Sequence, residues 1–355
     1  MICKKLISMV PFAGLLLGLC TGALSNPLTA AAAQSVQSAS SQLTKPMDIP
    51  ARWRGLIGEY ALMGDTVCVL ERDGHLGVLM RSGDLSILKE GSSGVFRVQN
   101  PKSPIDSVIA FRRDARGQAS FIDSRRGQFR KLSLGEEDGT ASRIKPLHPI
   151  DVLKTRALKA KPPRENGDFL NLDLVDVTTL DSTIKLDIRY AGTNNFMGTV
   201  FYSQAKAFLQ RPAAKALVRV HRNLKRIGYG LLIHDAYRPW YVTKMFWDAT
   251  PNEQKIFVAD PSKGSRHNRG CAVDLSLYDS ATGMPLTMVS GYDEFSRRAF
   301  ADYPGGTSLQ RWHRDLLRQA MEAEGFSVYD WEWWHFDYKD WRRYPIGTLT
   351  FEKIH

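Results

Sequence analysis

Four side chains in the C-terminal half of this 355-residue chain could together support metal chemistry. His267 and Asp274 lie seven residues apart, and Glu332 and His335 lie three residues apart. Two imidazoles and one carboxylate suffice to bind zinc while leaving a fourth position for water, as catalytic zinc sites do. We therefore predict one Zn²⁺ per chain, bound by His267, Asp274 and His335, with Glu332 as the base that takes a proton from water.

Each of these residues also has a structural explanation when it is considered alone. A histidine beside aromatic residues is more often hydrogen-bonded in a core than bound to a metal. Asp274 could cap a strand end, and Glu332 could be a solvated surface charge. The joint pattern, His-x6-Asp followed by Glu-x2-His, is much harder to obtain by chance, so it favours a metal site.

The spacing of apolar residues predicts the elements that would position this site. His267 and Asp274 flank a turn at Gly270, and Asp274 opens an apolar strand. Glu332 and His335 could serve one site from a single turn or loop. Two amphipathic helices and one short buried strand are also predicted, over residues 205–227, 309–323 and 231–233 respectively.

Both motif segments resemble the signature of the D-alanyl-D-alanine dipeptidase family, the vancomycin-resistance type zinc dipeptidases, which are related to zinc D,D-carboxypeptidases. Segments 187–196 and 230–239 are similar to that family as well, so the resemblance covers about residues 168–345. It implies zinc-dependent hydrolysis of the D-alanyl-D-alanine dipeptide to D-alanine, linked to peptidoglycan metabolism. It also implies an α+β peptidase domain with a mainly antiparallel sheet flanked by helices.

The same resemblance implies that Arg238 steadies the substrate carbonyl oxygen in the transition state, and that Ser265 and Asp293 hold the free amine. Arg238 follows a buried strand, where an arginine can donate hydrogen bonds to a developing oxyanion. The alternative is an ordinary turn with a solvated guanidinium. Cys271 departs from the smaller residue usual in the family, and we interpret it as a packing residue because three ligands already surround the metal.

Residues 51–134 have a different pattern, in which short apolar and β-branched runs alternate with Gly- and Asp-rich turns. This spacing predicts a small all-β domain, a meander or a barrel. The Pro-rich stretch 135–167 is predicted to be a linker to the zinc peptidase domain, residues 168–355. Because the β-domain supplies no predicted site residue, we expect a chain starting near Asp168 to keep its turnover.

The first 25 residues have the features of an export signal. Lys4 and Lys5 precede an apolar run over residues 6–19, and residues 23–25 suit signal cleavage. The run is shorter than the roughly 20 residues that cross a bilayer. We therefore expect a periplasmic or cell-envelope protein without stable membrane insertion, followed by a polar tether over residues 26–50. Lipid attachment at Cys20 is less favoured because Leu19 is not a small residue.

The net charge of +11 would suit an anionic partner. The basic residues are scattered, however, so no nucleic acid is predicted as a partner. The predicted partners are a small dipeptide as the substrate and peptidoglycan as a second binding partner. Outside the signal, Cys68 and Cys271 are predicted to be buried free thiols rather than a disulfide bridge.

Two other functions stay open at this stage. A D,D-carboxypeptidase or endopeptidase acting on peptidoglycan stem peptides would need an open groove, whereas a closed pocket ending at Asp293 favours a dipeptide. A non-catalytic, zinc-containing wall-binding protein would need neither Glu332 as a base nor Arg238 as an oxyanion donor. Such a structural zinc site would normally close its fourth position.

Overall fold

The computed structural model describes residues 44–91, 94–102, 104–134 and 143–354. The predicted export signal and residues 26–43 of the predicted tether lie outside these residues. The described residues from Lys45 onward form one compact unit, in which two separate hydrophobic cores are found. Within the described part of the chain, no helix combines the length and apolar character needed to cross a membrane.

The first core lies inside a closed antiparallel barrel, which follows a short helix, α1 (Ala51–Arg54). The barrel closes because its first strand pairs with both the second and the eighth. Alternate side chains, such as Val67, Val69 and Val78, fill its interior, as the two-residue period of a strand requires. The eight strands confirm the predicted all-β fold, and they are β1 (Gly58–Leu62), β2 (Asp65–Arg72), β3 (His75–Met80), β4 (Leu85–Glu90), β5 (Val95–Val98), β6 (Val108–Arg113), β7 (Ala119–Ser124) and β8 (Gly127–Lys131).

The second core belongs to a five-stranded sheet with helices packed against it. Seven strands follow the barrel in the described residues, five in this sheet and two in a separate ribbon: β9 (Leu174–Asp176), β10 (Lys185–Leu186), β11 (Phe208–Gln210), β12 (Tyr229–Asp235), β13 (Ala272–Asp279), β14 (Phe326–Tyr329) and β15 (Glu332–Tyr338). The sheet order is β10-β12-β13-β15-β14, while β9 pairs with β11 in a separate ribbon. Only the β10–β12 pair is parallel in the sheet, which confirms the predicted mainly antiparallel α+β fold.

Five helices accompany this sheet in the described residues: α2 (Ile150–Lys159), α3 (Val177–Leu180), α4 (Arg211–Lys225), α5 (Trp240–Ala249) and α6 (Ser308–Glu322). Both helices predicted from apolar spacing are present, as α4 and α6. Helix α4 begins later than predicted because residues 208–210 pair as β11 and Pro212 suits a helix start. Helix α6 begins with a capping box between Thr307 and Gln310.

The segment predicted to be a Pro-rich linker contains helix α2. Pro149 precedes its first turn, and Leu153 and Ala157 lie four residues apart on the face buried in the second core. This face packs against α5. The prolines of this segment therefore mark the start of helix α2 as well as the passage from the barrel to the second core.

Both predicted free thiols are free in the structure. Cys271 is buried directly before β13, and Cys68 in β2 is partly buried beside the second core. Burial raises the pKa of Cys271 to about 12 and that of Cys68 to about 11. Both side chains are therefore neutral packing groups rather than thiolates at neutral pH.

Candidate active site

The three predicted metal ligands come from two neighbouring strands and the turn before one of them. His267 begins a short helical turn that ends at Gly270, whose φ of 65° lies in the left-handed region. Glycine adopts this conformation without strain, and a Cβ at this position would also lie 2.5 Å from a methyl carbon of Leu174. Asp274 in β13 pairs directly with His335 in β15, which places their side chains side by side.

The donor atoms of these ligands converge on one point. The Nε2 atom of His267 lies 3.1 Å from Nδ1 of His335 and 3.3 Å from Oδ1 of Asp274. The remaining pair, His335 Nδ1 and Asp274 Oδ1, is 2.9 Å apart. All three residues are buried, and in the described part of the chain they form a group that could hold a metal ion.

The outer nitrogen of each histidine is held by an oxygen atom. Nδ1 of His267 lies 2.7 Å from the Ala236 carbonyl oxygen, and Nε2 of His335 lies 3.0 Å from Oδ1 of Asp337. If these outer nitrogens donate, both inner nitrogens present lone pairs to the shared point. This is how proteins orient metal-binding histidines, so the donor set fits a metal ion.

The charges around the cluster also favour a cation. Burial alone would raise the pKa of Asp274, but His267 and His335 lower it well below its ordinary value. Burial disfavours a charged His335, yet Asp274 and Asp337 outweigh it and raise its pKa to about 10. Carboxylates that attract a proton also attract a metal cation. The negative charge around the cluster therefore supports its assignment as a metal site.

Glu332 stands beside the ligands without joining them. Its Oε2 atom lies 3.7 Å from Nδ1 of His335, and 24% of its side chain is exposed. Glu332 and His335 lie on strand β15 rather than on the predicted turn or loop. Residues three apart face opposite sides of a regular strand, but the β14–β15 register shifts between Val328 and Tyr329, opposite Glu332. Burial raises the pKa of Glu332 to about 7.

Arg238 lies three residues beyond the buried strand β12, close to the ligands. Its Nε and Nη2 atoms donate to Oδ2 of Asp235 at 2.9 and 2.7 Å, and Nη2 lies 4.0 Å from Oδ2 of Asp274. The guanidinium also lies over the rings of Tyr190 and Phe246. Arg238 is therefore fixed in one orientation, and a guanidinium has five N–H donors, more than Asp235 can accept.

Asp293 and Ser265 lie at the same cavity. Tyr190 donates a hydrogen bond of 2.8 Å from its hydroxyl to Oδ2 of Asp293. Burial raises the pKa of Asp293 to about 8, with Asp274 and Glu332 adding to the shift and Tyr190 opposing it. The hydroxyl of Ser265 accepts a hydrogen bond from the His267 backbone N–H at 3.2 Å, which holds the ligand turn.

A cavity of about 470 Å³ contains all seven of the residues predicted for the site. The structure therefore brings together residues that are up to 97 positions apart in the sequence, from Arg238 to His335. Aromatic side chains line the outer part, including Phe257, Phe295 and the half-exposed Trp331. The arrangement can bind a cation, orient a carbonyl oxygen and move a proton within one cavity.

A protein-family model described as D-ala-D-ala dipeptidase matches residues 170–353, more than half of the chain. The chain belongs to the D-alanyl-D-alanine dipeptidase family. The D-alanyl-D-alanine dipeptidase of Escherichia coli K12 is 35% identical over 174 residues, covering 49% of this chain and 89% of that protein. The enzymes of the same name from Enterococcus faecalis and Streptomyces coelicolor are both 31% identical, covering 53% and 49% of this chain and 98% and 93% of their own lengths.

In this member of the dipeptidase family, the structure adds residues that the sequence reasoning missed. Tyr292 donates a 3.0 Å hydrogen bond to Oδ2 of Asp274, and Asp235 and Asp337 hold Arg238 and His335. Asp235 and Asp337 lie three and two residues from the side chains they hold, so sequence proximity could have suggested them. No comparable signal links Tyr292 to Asp274, because the two are 18 residues apart.

Proposed function

We propose that this protein hydrolyses the D-alanyl-D-alanine dipeptide to two molecules of D-alanine, using one Zn²⁺ per chain. The observation that carries the proposal is the convergence of His267, Asp274 and His335 on one point, beside Glu332 and Arg238 in a single cavity. The family relationship supports the substrate, because the relatives bear the name of this activity.

Zinc is the metal we propose for the cluster. Two imidazole nitrogens and one carboxylate oxygen form a three-ligand set typical of catalytic zinc. When bound there, zinc would polarise the substrate carbonyl and make water more acidic. Asp337 and the Ala236 carbonyl would keep the two imidazoles oriented for the metal.

Glu332 and Arg238 perform the proton transfer and the oxygen binding in this proposal. Glu332 takes a proton from the attacking water, whose oxygen bonds to the amide carbonyl carbon. The C–N bond then breaks, and Glu332 returns the proton to the leaving amine. Arg238, held by Asp235, donates to the oxygen on which negative charge develops. One water is consumed for each dipeptide.

Asp293 and Ser265 are proposed to bind the free ammonium group of the substrate. A dipeptide has this group, whereas the corresponding nitrogen in a peptidoglycan stem peptide is acylated and carries no charge. An ammonium group pairs with ionised Asp293, whereas an amide supplies no cation, and burial then favours the protonated, neutral form of this carboxyl. The proposal therefore favours the dipeptide over stem-peptide hydrolysis.

We also propose that the protein is exported, on the strength of the signal-like first 25 residues. An exported dipeptidase would meet D-alanyl-D-alanine or wall-derived peptides in the cell envelope. Fractionation of cells that produce the full chain would test this location. Recovery of full-length protein with an intact N-terminus in the cytoplasm would contradict it.

The direct test of function compares four compounds with zinc-loaded protein. D-Ala-D-Ala should be cleaved, whereas L-Ala-L-Ala, N-acetyl-D-Ala-D-Ala and an isolated stem peptide should be poor substrates. N-acetylation removes the ammonium charge and adds only a small acetyl group, so this compound is the control for the role of Asp293. Faster release of D-alanine from the stem peptide than from the dipeptide would overturn the proposed substrate.

A further inference from the structure

One loop connects the cavity to the barrel. Residues 290–306, called here the 290–306 loop, carry Asp293 near one end and lead into helix α6 at the other. The family model begins at residue 170, so the barrel lies outside the residues that it matches. The 290–306 loop therefore links the matched peptidase region to the barrel through non-covalent contacts.

Glu71 of barrel strand β2 binds the C-terminal end of the 290–306 loop, where the loop enters helix α6. Only 2% of Glu71 is exposed, and its Oε2 atom accepts a 2.7 Å hydrogen bond from the backbone N–H of Ser308. Its Oε1 atom accepts from the Ser308 hydroxyl at 3.1 Å. A carboxylate at the first turn of a helix is stabilised by the unpaired N–H groups there. Glu71 thus acts as a second cap on α6, supplied by the other domain.

Main-chain atoms of Glu71 extend the same junction. Its N–H donates to the Gly306 carbonyl oxygen at 3.1 Å, and its carbonyl oxygen accepts from Nη2 of Arg311 at 2.8 Å. Nη1 of Arg311 donates to the carbonyl oxygens of Gly305 and Gly306. The last residues of the loop are therefore held between strand β2 and helix α6.

The middle of the loop contacts the turn that leads to Glu332. The N–H of Ala301 donates to the Asp330 carbonyl oxygen at 3.0 Å, and the rings of Phe300 and Trp331 meet edge to face at 5.0 Å. Slightly further on, the Tyr303 hydroxyl lies 3.6 Å from the Cys68 sulfur of the barrel. Contacts on the active-site side are thus followed, a few residues later, by contacts to the barrel.

The near end of the loop holds Asp293 in a strained backbone conformation. Its φ of 57° lies in the left-handed region, which residues other than glycine adopt only uncommonly. The neighbouring Glu294 is buried and accepts hydrogen bonds from the Gly291 N–H and the Ser296 hydroxyl, and Arg298 lies 3.3 Å from it. Strain of this kind persists only where the surrounding contacts fix the chain.

We infer that the barrel is a positioning element of the active site, and that Glu71 is its principal contact. By fixing residues 303–308, Glu71 keeps the 290–306 loop in the conformation that presents Asp293 to the substrate amine. The inference rests on the proposed function for the identity of that amine. It stands against the expectation that the barrel is dispensable, since the last residues of the loop contact both strand β2 and helix α6.

The test uses full-length, zinc-loaded protein with four variants. Glu71→Ala removes the side-chain contacts to Ser308, Glu71→Gln keeps one acceptor oxygen, and Ser308→Ala removes one hydroxyl. Glu90→Ala is the matched control, because Glu90 is a barrel glutamate bonded to Arg52 and Trp53 of the N-terminal segment. Each variant is assayed for zinc content, KM and kcat with D-Ala-D-Ala.

A second readout isolates the position of Asp293. A phosphinate analogue of D-Ala-D-Ala and the same analogue without its amino group are compared as inhibitors. A displaced Asp293 would hold the substrate amine less well in the ground state and the transition state alike, so we expect Glu71→Ala to raise KM roughly tenfold. Zinc content and kcat should change little, and the preference for the amine-bearing inhibitor should fall toward that of Asp293→Asn, which is added as a reference variant.

The outcomes distinguish a failure of this inference from a failure of the proposed function. If Glu71→Ala and Ser308→Ala match Glu90→Ala in KM and in inhibitor preference, the barrel does not position Asp293 and the inference is wrong. If Glu71→Ala does not fold, Ser308→Ala alone decides by the same measurements. Failure of the wild-type protein to cleave D-Ala-D-Ala would instead overturn the proposed function, and the inhibitor pair would still report on the loop.

Discussion

Replacing Glu332 with glutamine should separate metal binding from catalysis. The three inner donor atoms come from His267, Asp274 and His335, while the Glu332 carboxylate lies 3.7 Å from the nearest of these residues. Glutamine has nearly the same shape and can still donate and accept hydrogen bonds, but it cannot take a proton. Zinc should therefore stay bound at one per chain in Glu332→Gln.

The size of the kinetic loss follows from the two proton transfers assigned to this carboxylate. A positioned acid or base contributes about 10² to 10⁴ in rate, and one group that serves both steps should lie near the upper end. A loss of about 10³ to 10⁴ corresponds to roughly 4 to 5.5 kcal/mol in activation free energy. KM should change far less than kcat, because Glu332 is not assigned to hold the ground-state substrate.

The assay follows D-alanine release and measures zinc in the same protein sample. Glu253→Gln serves as the control, since Glu253 is an exposed glutamate on the short helix Asn252–Phe257. Glu253→Gln should match the wild type in both measurements. Loss of zinc from Glu332→Gln would show that Glu332 is a metal ligand, and near-native turnover would show that it has no role in proton transfer. Either result would refute the mechanism.

Three further predictions concern the metal and the stability of the fold. His335→Ala should lose most of its zinc, and a chelator should abolish wild-type activity that added zinc restores; stoichiometric zinc in the variant would remove His335 from the ligand set. Asp337→Asn should bind zinc about 10- to 100-fold more weakly in chelator competition, because Asp337 orients His335; unchanged affinity would contradict that role. Burial lowers the pKa of His221 from 6.5 to about 4, with Lys225 and Arg222 adding to the shift and Asp181 opposing it. As pH drops, His221 becomes protonated in the unfolded chain before it does in the folded chain, and this favours unfolding. The urea midpoint should therefore fall as pH drops from 6.5 toward 4. His221→Gln should flatten this slope, and an equally steep slope would assign it to other groups.

The sequence could predict that His267, Asp274 and His335 lie together because the signal is local. Each motif keeps its members within seven residues, and the strand after Asp274 shows a clear apolar pattern. The buried face of helix α4 is equally local, since Ala213, Leu217, Val220 and Leu224 repeat every three or four residues. The resemblance to a known family then supplied Arg238, Ser265 and Asp293, which no periodicity could have found.

Contacts between distant segments could not be predicted in the same way. Tyr190 and Asp293 are 103 residues apart, and Glu71 and Ser308 are 237 apart. A buried carboxylate that caps a helix in another domain looks, in the sequence, like any strand glutamate followed by an arginine. The register shift between β14 and β15 near Glu332 could not be predicted either, because the register depends on how two strands pair.

Helix α2 and Glu165 decide where a shortened chain could begin. Glu165 forms an ion pair with the buried Arg269 and accepts a 2.7 Å hydrogen bond from the Ile346 N–H, while Leu153 of α2 is completely buried. A chain starting at Asp168 would leave Arg269 without its carboxylate, and removing one partner of a buried pair typically costs about 3–5 kcal/mol. The boundary of sequence similarity near residue 170 is therefore not a boundary of folding. We therefore expect an autonomous peptidase fragment to require a start before Ile150, and inactivity of a shorter, unfolded fragment would say nothing about the barrel.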